Sequence, residues 1–315
     1  GQTMKRKLVV LAFLFSCVGC ALAQNAKPLR IFIRAGVKTH GPGEHDHPRF
    51  LEEGKDLLNE RGARCDGSME FPTAAQLDNT DVLVMYCQEG GSIPPAQRAD
   101  LDKFLQRGGG IVVVHDAVCG NDAQWFKTIV GGAWEHGHSK WQEGNVGFYV
   151  IDREHPITKG VANFEIDDEI YYDLHFVPEA RVLAASFHNV FTIAPQMWVY
   201  EKTLAGGQPY RAFVTLLGHK YTTFEAPHSR ALLLRGIAWA AKRDVDSLLD
   251  DEEKQALAYP EGGPTAPALS ASKLVVHPEF TVNLVAAEPL INKPMSIDWD
   301  PQGRLWVAET PEYPG

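Results

Sequence analysis

Apolar residues run in short unbroken blocks through the first third of the chain, with amphipathic stretches between them. Leu29-Arg-Ile-Phe-Ile33, Asp81-Val-Leu-Val-Met-Tyr-Cys87 and Ile111-Val-Val-Val114 are apolar on nearly successive positions, as strands covered on both faces must be. Pro48 to Arg61 carries Phe50, Leu51, Leu57 and Leu58, with proline in its first turn and Gly62 after its end, and reads as a helix. Pro95 to Arg107 places Ala99, Leu101, Phe104 and Leu105 on one side and stops at Gly108-Gly-Gly110, a second helix. Alternating strands and helices with continuous apolar strands predict a doubly wound α/β fold around a parallel sheet.

The rhythm then changes. Val146 to Ile151, Arg181 to Phe187, Met197 to Glu201 and Arg211 to Leu217 read as strands with few helices between them, the last two joined as a hairpin through Gly206-Gly207. Pro227 to Arg243 is a long amphipathic helix carrying Leu232, Leu233, Ile237, Ala238 and Trp239. Residues 28 to 243 are therefore expected to form one α/β domain with antiparallel additions after its doubly wound half. Asp244 to Ser272, acidic and then rich in Pro, Gly and Ala, reads as a linker. Beyond it, Lys273 to Ala287 alternates like a strand pair, and Lys293 to Thr310 gives two strands around the turn Asp300-Pro-Gln-Gly303.

The chain begins differently. Met4-Lys-Arg-Lys7, the apolar run Leu8 to Val18 and Ala21-Leu-Ala23 make a basic, an apolar and a small-residue region, the pattern of a secretory signal over residues 1–23. The run is short of the ~20 residues that span a bilayer, so no stable membrane span is expected. Cys20 lacks the leucine three residues earlier that a lipoprotein site wants, which favours plain cleavage after Ala23 and a periplasmic or extracellular location. The net charge of −10 excludes nucleic acid and anionic lipid as natural partners. Cys65, Cys87 and Cys119, an odd and sparse set after the leader, do not make a disulfide framework. Cys87 reads as a core residue and Cys119 as a more exposed one.

Ligands of doubly wound sheets bind beyond the carboxyl ends of the strands, and polar groups gather there. Lys38 to Pro48 brings His40, Glu44, His45 and His47; Gln88-Glu89 follows the second strand; His115-Asp116 ends the third; Trp134 to Trp141 adds His136 and His138; His219 ends a late strand. Seven of the twelve histidines thus fall on one edge. Two chemical readings and a plain one remain open. Imidazoles from His45, His47, His115, His136 and His138, with Asp116 or Glu44, would converge on a divalent metal such as zinc. Alternatively His115 and Asp116 form a metal-free acid/base pair. In the plain reading these histidines cap loops, as His155, His188 and His228 are expected to do. Asp167-Asp168-Glu169, expected on a loop beside Tyr171 and Tyr172, suits sugar hydroxyls and ring faces, and Trp134 and Trp141 share that ambiguity; Trp125 leans to the core.

From Leu29 to Arg243 the sequence resembles the ThuA-like (trehalose utilisation) family. The resemblance is carried by Gly109-Gly-Ile-Val-Val-Val-His-Asp-Ala117, His155-Pro-Ile-Thr-Lys-Gly160, Asp168-Glu-Ile-Tyr171, Leu217-Gly-His219 and Leu232-Leu-Leu-Arg-Gly-Ile-Ala-Trp-Ala240. It implies a flavodoxin-like sheet similar to class I glutamine amidotransferases. The strained Gly-x-Cys-x-Gly elbow is absent after Val114, where His115-Asp116-Ala117 stand, so thiol catalysis is disfavoured; His219 sits where such enzymes place their base. The resemblance implies an exported protein of carbohydrate catabolism that acts on a keto-sugar or 3-keto-glycoside by proton transfer. Its catalytic residues would be His115, Asp116 and His219, with His40, Glu44, Glu89, Trp134, Asp168, Glu169 and Tyr171 around the sugar. The rival expectation is a non-catalytic carbohydrate-binding module.

The segment from Lys273 resembles the first blade of propeller sugar dehydrogenases. A single blade cannot bury its own faces, so residues 273–315 are expected to pack poorly and to belong to a longer multidomain chain.

Overall fold

The structure, a computed structural model, describes residues 27–189, 192–258 and 265–310. The leader and Cys20 lie outside the described residues. The doubly wound half is built from β1 (Arg30–Ala35), α1 (His47–Glu60), β2 (Arg64–Ser68), α2 (Ala74–Asp78), β3 (Val82–Tyr86), α3 (Pro95–Gln106) and β4 (Gly110–Val114). A 3-10 turn over His115–Val118 and α4 (Ala123–Val130) follow. The second half holds β5 (Gly132–Ala133), β6 (Lys140–Val150), β7 (Phe164–Tyr172), β8 (His175–Phe176), β9 (Arg181–Asn189), β10 (Thr192–Thr203) and β11 (Pro209–Thr215). Then come α5 (Thr222–Glu225), α6 (Pro227–Ala240) and α7 (Asp251–Leu257).

Nine strands form one sheet in the order β2-β1-β3-β4-β11-β10-β9-β6-β7. The first five are parallel, with Ile31 beside Val82, Val82 beside Gly110 and Ile111 beside Ala212. Their order is that of flavodoxin-like sheets, whose strand direction of travel reverses between β1 and β3. The remaining four are antiparallel. Every residue of β3 and β4 is buried, because α1 and α6 cover one face of the sheet and α3 and α4 the other.

The sequence pattern finds the parallel half and the β10–β11 hairpin within a few residues. It misses β2, whose Arg64-Cys-Asp-Gly-Ser68 lacks an apolar run and lies at the sheet edge. It also misses β7: Asp167, Asp168 and Glu169 stand in a nine-residue strand, not on a loop. Acidic residues are poor strand formers, and here neighbouring donors compensate. β6 starts at Lys140, earlier than expected, and its first nine residues pair with β7 while Tyr149 and Val150 pair with β9. The β6–β7 ribbon thereby crosses from the sheet edge back toward the carboxyl ends of the parallel strands. The domain also runs beyond Arg243, since Leu248, Leu249 and Leu257 enter the core beside α6. Cys119, expected to be more exposed, is buried, and the three cysteines are free. Trp125 is half-buried against the core.

The tail carries α8 (Pro267–Ser270), β12 (Pro294–Trp299) and β13 (Leu305–Glu309). β12 and β13 pair around Asp300–Gly303 as the pattern predicts, but Lys273 to Ala287 forms no strand. All of β12 is exposed. Among the described residues no helix is long and apolar enough to cross a membrane.

Candidate functional site

Four strand ends deliver the site. β1 runs into a loop that Lys38 knots together, its ammonium donating to the carbonyls of Gly41 (2.6 Å) and Glu44 (2.8 Å). That loop is stitched to the one after β11, where the His45 N–H donates to the His219 carbonyl at 2.9 Å and the Tyr221 N–H to that of Gly43 at 2.7 Å. β4 ends abruptly in His115. Of the seven non-glycine residues with positive φ among the described residues, four ring this site: His40 (63°), His45 (41°), Glu89 (55°) and His115 (50°). Left-handed backbone at such residues costs about 1–3 kcal/mol each and persists where surrounding structure enforces it. His115 thus occupies a sharp strand-to-helix turn, and Gly218 (φ 141°) lies so close that a Cβ there would stand 3.2 Å from that of His115.

The imidazoles converge. His45 Nε2 lies 3.1 Å from His115 Nε2 and 2.9 Å from His219 Nδ1. Glu169 Oε2 is 3.2 Å from the same His115 nitrogen and 3.4 Å from His219 Nδ1. Tyr171 Oη meets His115 Nε2 at 3.1 Å. One donor atom each from His45, His115, Glu169 and His219 lies within 4.8 Å of all the others, and all four residues are buried.

The surroundings set which nitrogens are bare. His115 Nδ1 donates to the Leu216 carbonyl at 2.7 Å, which leaves Nε2 as a lone pair in the neutral ring. His45 Nδ1 donates to Asp116 at 3.0 Å, so its Nε2 is bare as well. Asp116 also bonds His47 Nε2 at 3.1 Å, and His47 Nδ1 meets the Val37 carbonyl at 2.8 Å. Carboxylates and carbonyls behind ligating imidazoles are the usual outer partners of metal sites.

The electrostatics act on the two rings in opposite directions, favouring the neutral form of His45 and a positive charge at His115. Burial lowers His45 to about 4 against the pull of Asp116. Burial also opposes charge on His115, but its hydrogen bond to Glu169 and the charges of Asp116 and Glu169 outweigh that and raise it. Burial acts to raise Asp116, yet the hydrogen bonds from His45 and His47 hold it well below the usual carboxylate range. Glu169 is held down to about 2, its burial outweighed by His115 and His219. Bare nitrogens and a carboxylate oxygen packed this closely stabilise a cation among them.

A pocket of about 290 Å³ opens above the cluster. His45, His219, Glu169 and Tyr171 line its depth, and His115 lies wholly buried behind them. Glu44 lines it too, its oxygen taking the Gly41 N–H at 2.8 Å and lying 3.9 Å from His219 Nε2. His40 packs against His45 with centroids 4.0 Å apart and the rings tilted by 41°. Trp134 forms a wall against Tyr171, its indole N–H buried without an acceptor.

Several expected site residues stand elsewhere. His47 is an outer partner through Asp116, and Asp116 faces His45 and His47 as their orienting carboxylate. His136 is an exposed residue at the mouth, bonded to Glu89 at 2.6 Å. His138 stacks on His175 at 4.7 Å and joins no donor cluster. Neither is near the converging nitrogens because the turn over 135–138 projects outward. Asp168 does not line the pocket. It is fully buried, accepting from Gly218 N (2.7 Å), Thr223 Oγ1 (2.7 Å), Lys220 N (3.0 Å) and Glu169 N (2.9 Å). It clamps the ribbon to the His219 loop.

Gln196, Trp141 and Glu143 also belong to the site's construction. Gln196 sits where the β9–β10 register shifts, accepts the Tyr171 N–H at 3.3 Å and donates to its carbonyl at 2.7 Å. Nothing in the local pattern marks it. Trp141 is already a candidate sugar contact in the sequence, but Glu143 is legible only once β6 is known to begin at Lys140, because cross-strand pairing sets the two opposite Tyr171 and Glu169.

Comparison with known proteins adds a family. The model described as trehalose utilisation (ThuA) matches residues 38–240, and a domain of unknown function (DUF7133) matches residues 266–315. A putative ThuA-like protein from Bacteroides uniformis is 19% identical with a TM-score of 0.52, over 70% of this chain and 96% of its own. One from Parabacteroides merdae is 20% identical with a TM-score of 0.52, over 68% and 90%. At these identities the likeness concerns the fold. Comparison with curated proteins gives no match.

Proposed function

The chain belongs to the trehalose utilisation (ThuA) family, and on that premise we propose that it is an enzyme of carbohydrate catabolism acting on a keto-sugar or 3-keto-glycoside. The observation that carries this reading is the convergence of His45, His115, His219 and Glu169 within 4.8 Å beneath an open pocket. That donor set, three imidazoles and a carboxylate, suits a divalent ion such as zinc. Export to the periplasm or beyond is part of the proposal, supported by the basic-apolar-small pattern of residues 4–23.

A keto-sugar offers a carbonyl oxygen and an acidic C–H beside it. Bound metal supplies a Lewis acid for such an oxygen. The chain's own groups do the rest. Asp116 and the Leu216 carbonyl hold His45 and His115 in one tautomer each. Glu44, whose pKa the Gly41 N–H lowers, is a pocket carboxylate outside the set of His45, His115, His219 and Glu169, lies 3.9 Å from His219 and is placed to take the C–H proton. Trp134 and Tyr171 exclude water from the deep end, and sugar hydroxyls meet Glu89 and His40 at the rim.

Elemental analysis of the purified chain, with turnover of a 3-keto-glucoside, tests the reading. About one divalent ion per chain is expected. His115→Ala should lose both the ion and turnover, by at least ~100-fold in rate, the range of one lost electrostatic or acid–base contribution. Metal-free protein with full activity would remove the metal, and sugar binding without turnover by the metal-loaded chain would make it a binding module.

A further inference from the structure

The pocket has an outer wall that the cluster chemistry does not use. β6 and β7 pair with Trp141 opposite Tyr171 and Glu143 opposite Glu169. Directly opposed residues in an antiparallel pair point to the same face, so these four side chains form one continuous surface. Its inner column, Glu169 and Tyr171, reaches the histidines. Its outer column, Trp141 and Glu143, lines the same pocket one strand farther out. Along β6 the next side chain on the same face as Trp141 is Glu143, and the indole stands 58% exposed. An exposed tryptophan within a pocket wall is apolar surface awaiting a flat partner. Glu143 is held beside it by Lys220, whose ammonium bonds both Glu143 and Asp167 at 2.9 Å, so the carboxylate is fixed in place with an acceptor oxygen to offer.

We infer that Trp141 and Glu143 form an outer sugar subsite, in which a pyranose ring stacks on the indole and gives a hydroxyl hydrogen bond to the carboxylate. The inference rests on the sugar reading above and goes beyond it in naming the residues that select the substrate. The protein distinguishes a glycoside from a free monosaccharide by the ring next to the one beside the histidines. An apolar ring face with polar edges matches a surface of one indole and one carboxylate, whereas a purely charged ligand would leave the indole unused. Trp134 lies across the pocket, on the inner side, and its unpaired indole N–H belongs to the reacting ring's environment.

Calorimetric titration of the full chain with trehalose and with glucose tests this, since neither carries a keto group and binding is read without turnover. Trehalose should bind at least ~10-fold tighter than glucose, the scale of one aromatic ring contact. Trp141→Ala should abolish that advantage while glucose affinity stays within about twofold, and Trp141→Phe should restore most of it. Equal affinity for the two sugars, no binding of either, or a Trp141→Ala loss equal for both overturns the subsite. Turnover is scored apart. A chain that shows the Trp141-dependent preference but converts no keto-sugar loses the catalytic reading and keeps the subsite. One that converts keto-sugars without the preference loses the subsite alone.

Discussion

The two halves of the site are made by opposite means. The parallel half contributes His45, His115 and His219 from turns at strand ends, where positive φ at His45 and His115 and the turn through Gly218 bring the rings into the same space. The antiparallel ribbon contributes Glu169, Tyr171, Trp141 and Glu143 from within regular strands, where alternation alone sets direction. The first half is held by its own loops, the β1 loop being stitched to the β11 loop by backbone hydrogen bonds. The second has to be attached. Its attachments include the short ladder of Tyr149 and Val150 to β9, Asp168 to the His219 loop, Lys220 to Glu143 and Asp167, Gln196 to the backbone of Tyr171, and the β6–β7 connection to α6 through Arg235, which donates to the Ile157 carbonyl at 3.0 Å. A donor cluster assembled across such a seam depends on those attachments as much as on its own side chains.

Breaking the largest attachment should therefore cost both stability and the site. Asp168→Ala leaves Gly218 N–H, Lys220 N–H and the Thr223 hydroxyl without their acceptor in a buried setting. About 4 kcal/mol of unfolding free energy should be lost, measured as a lower midpoint in urea, and the metal content should fall with it. A variant that keeps wild-type stability would show that the ribbon is held elsewhere.

Gln196→Leu keeps the volume and removes the side chain's bonds to Tyr171. Two buried backbone groups lose their partners, for about 3 kcal/mol. Because Tyr171, with Glu169, carries the ribbon's contacts to His115, sugar affinity should weaken more than secondary structure changes. Equal effects on binding and on far-UV dichroism would make Gln196 a core residue only.

The smallest effect concerns the far end of the ribbon, where His155 packs edge-on against Trp239 at 5.2 Å and its Nδ1 accepts the Ile157 N–H at 3.3 Å. Burial lowers its pKa from 6.5 to about 4. The unfolded chain takes up this proton below about 6.5 and the folded chain only near 4, so stability falls as pH drops through that window and is complete above it. Replacing the ring by His155→Phe should cancel about 2 kcal/mol of the wild-type loss between pH 7 and pH 5. Parallel pH–stability curves for the two proteins would place the acid sensitivity in other groups.

Much of the parallel half was legible in advance because its signals are local. Strands buried on both faces must be apolar throughout, helices must be amphipathic, and ligands of such sheets gather past the carboxyl ends; Leu29–Ile33, Ile111–Val114 and the histidines at 40–47, 115 and 219 follow from those rules alone. The family was also written in contiguous motifs. What the sequence could not decide was which histidines meet. His45 and His47 differ by two residues, yet one ring faces His115 and the other lies behind Asp116, because His45 stands at positive φ while His47 already begins α1. His136 and His138 looked equivalent to them in spacing and project from an outward turn. Asp168 and Glu169 are adjacent, and strand alternation sends one into a structural clamp and the other to the histidine cluster. Side-chain direction in each case depends on backbone conformation and on pairing between segments as much as 174 residues apart, such as His45 and His219, and only the folded chain brings those segments together.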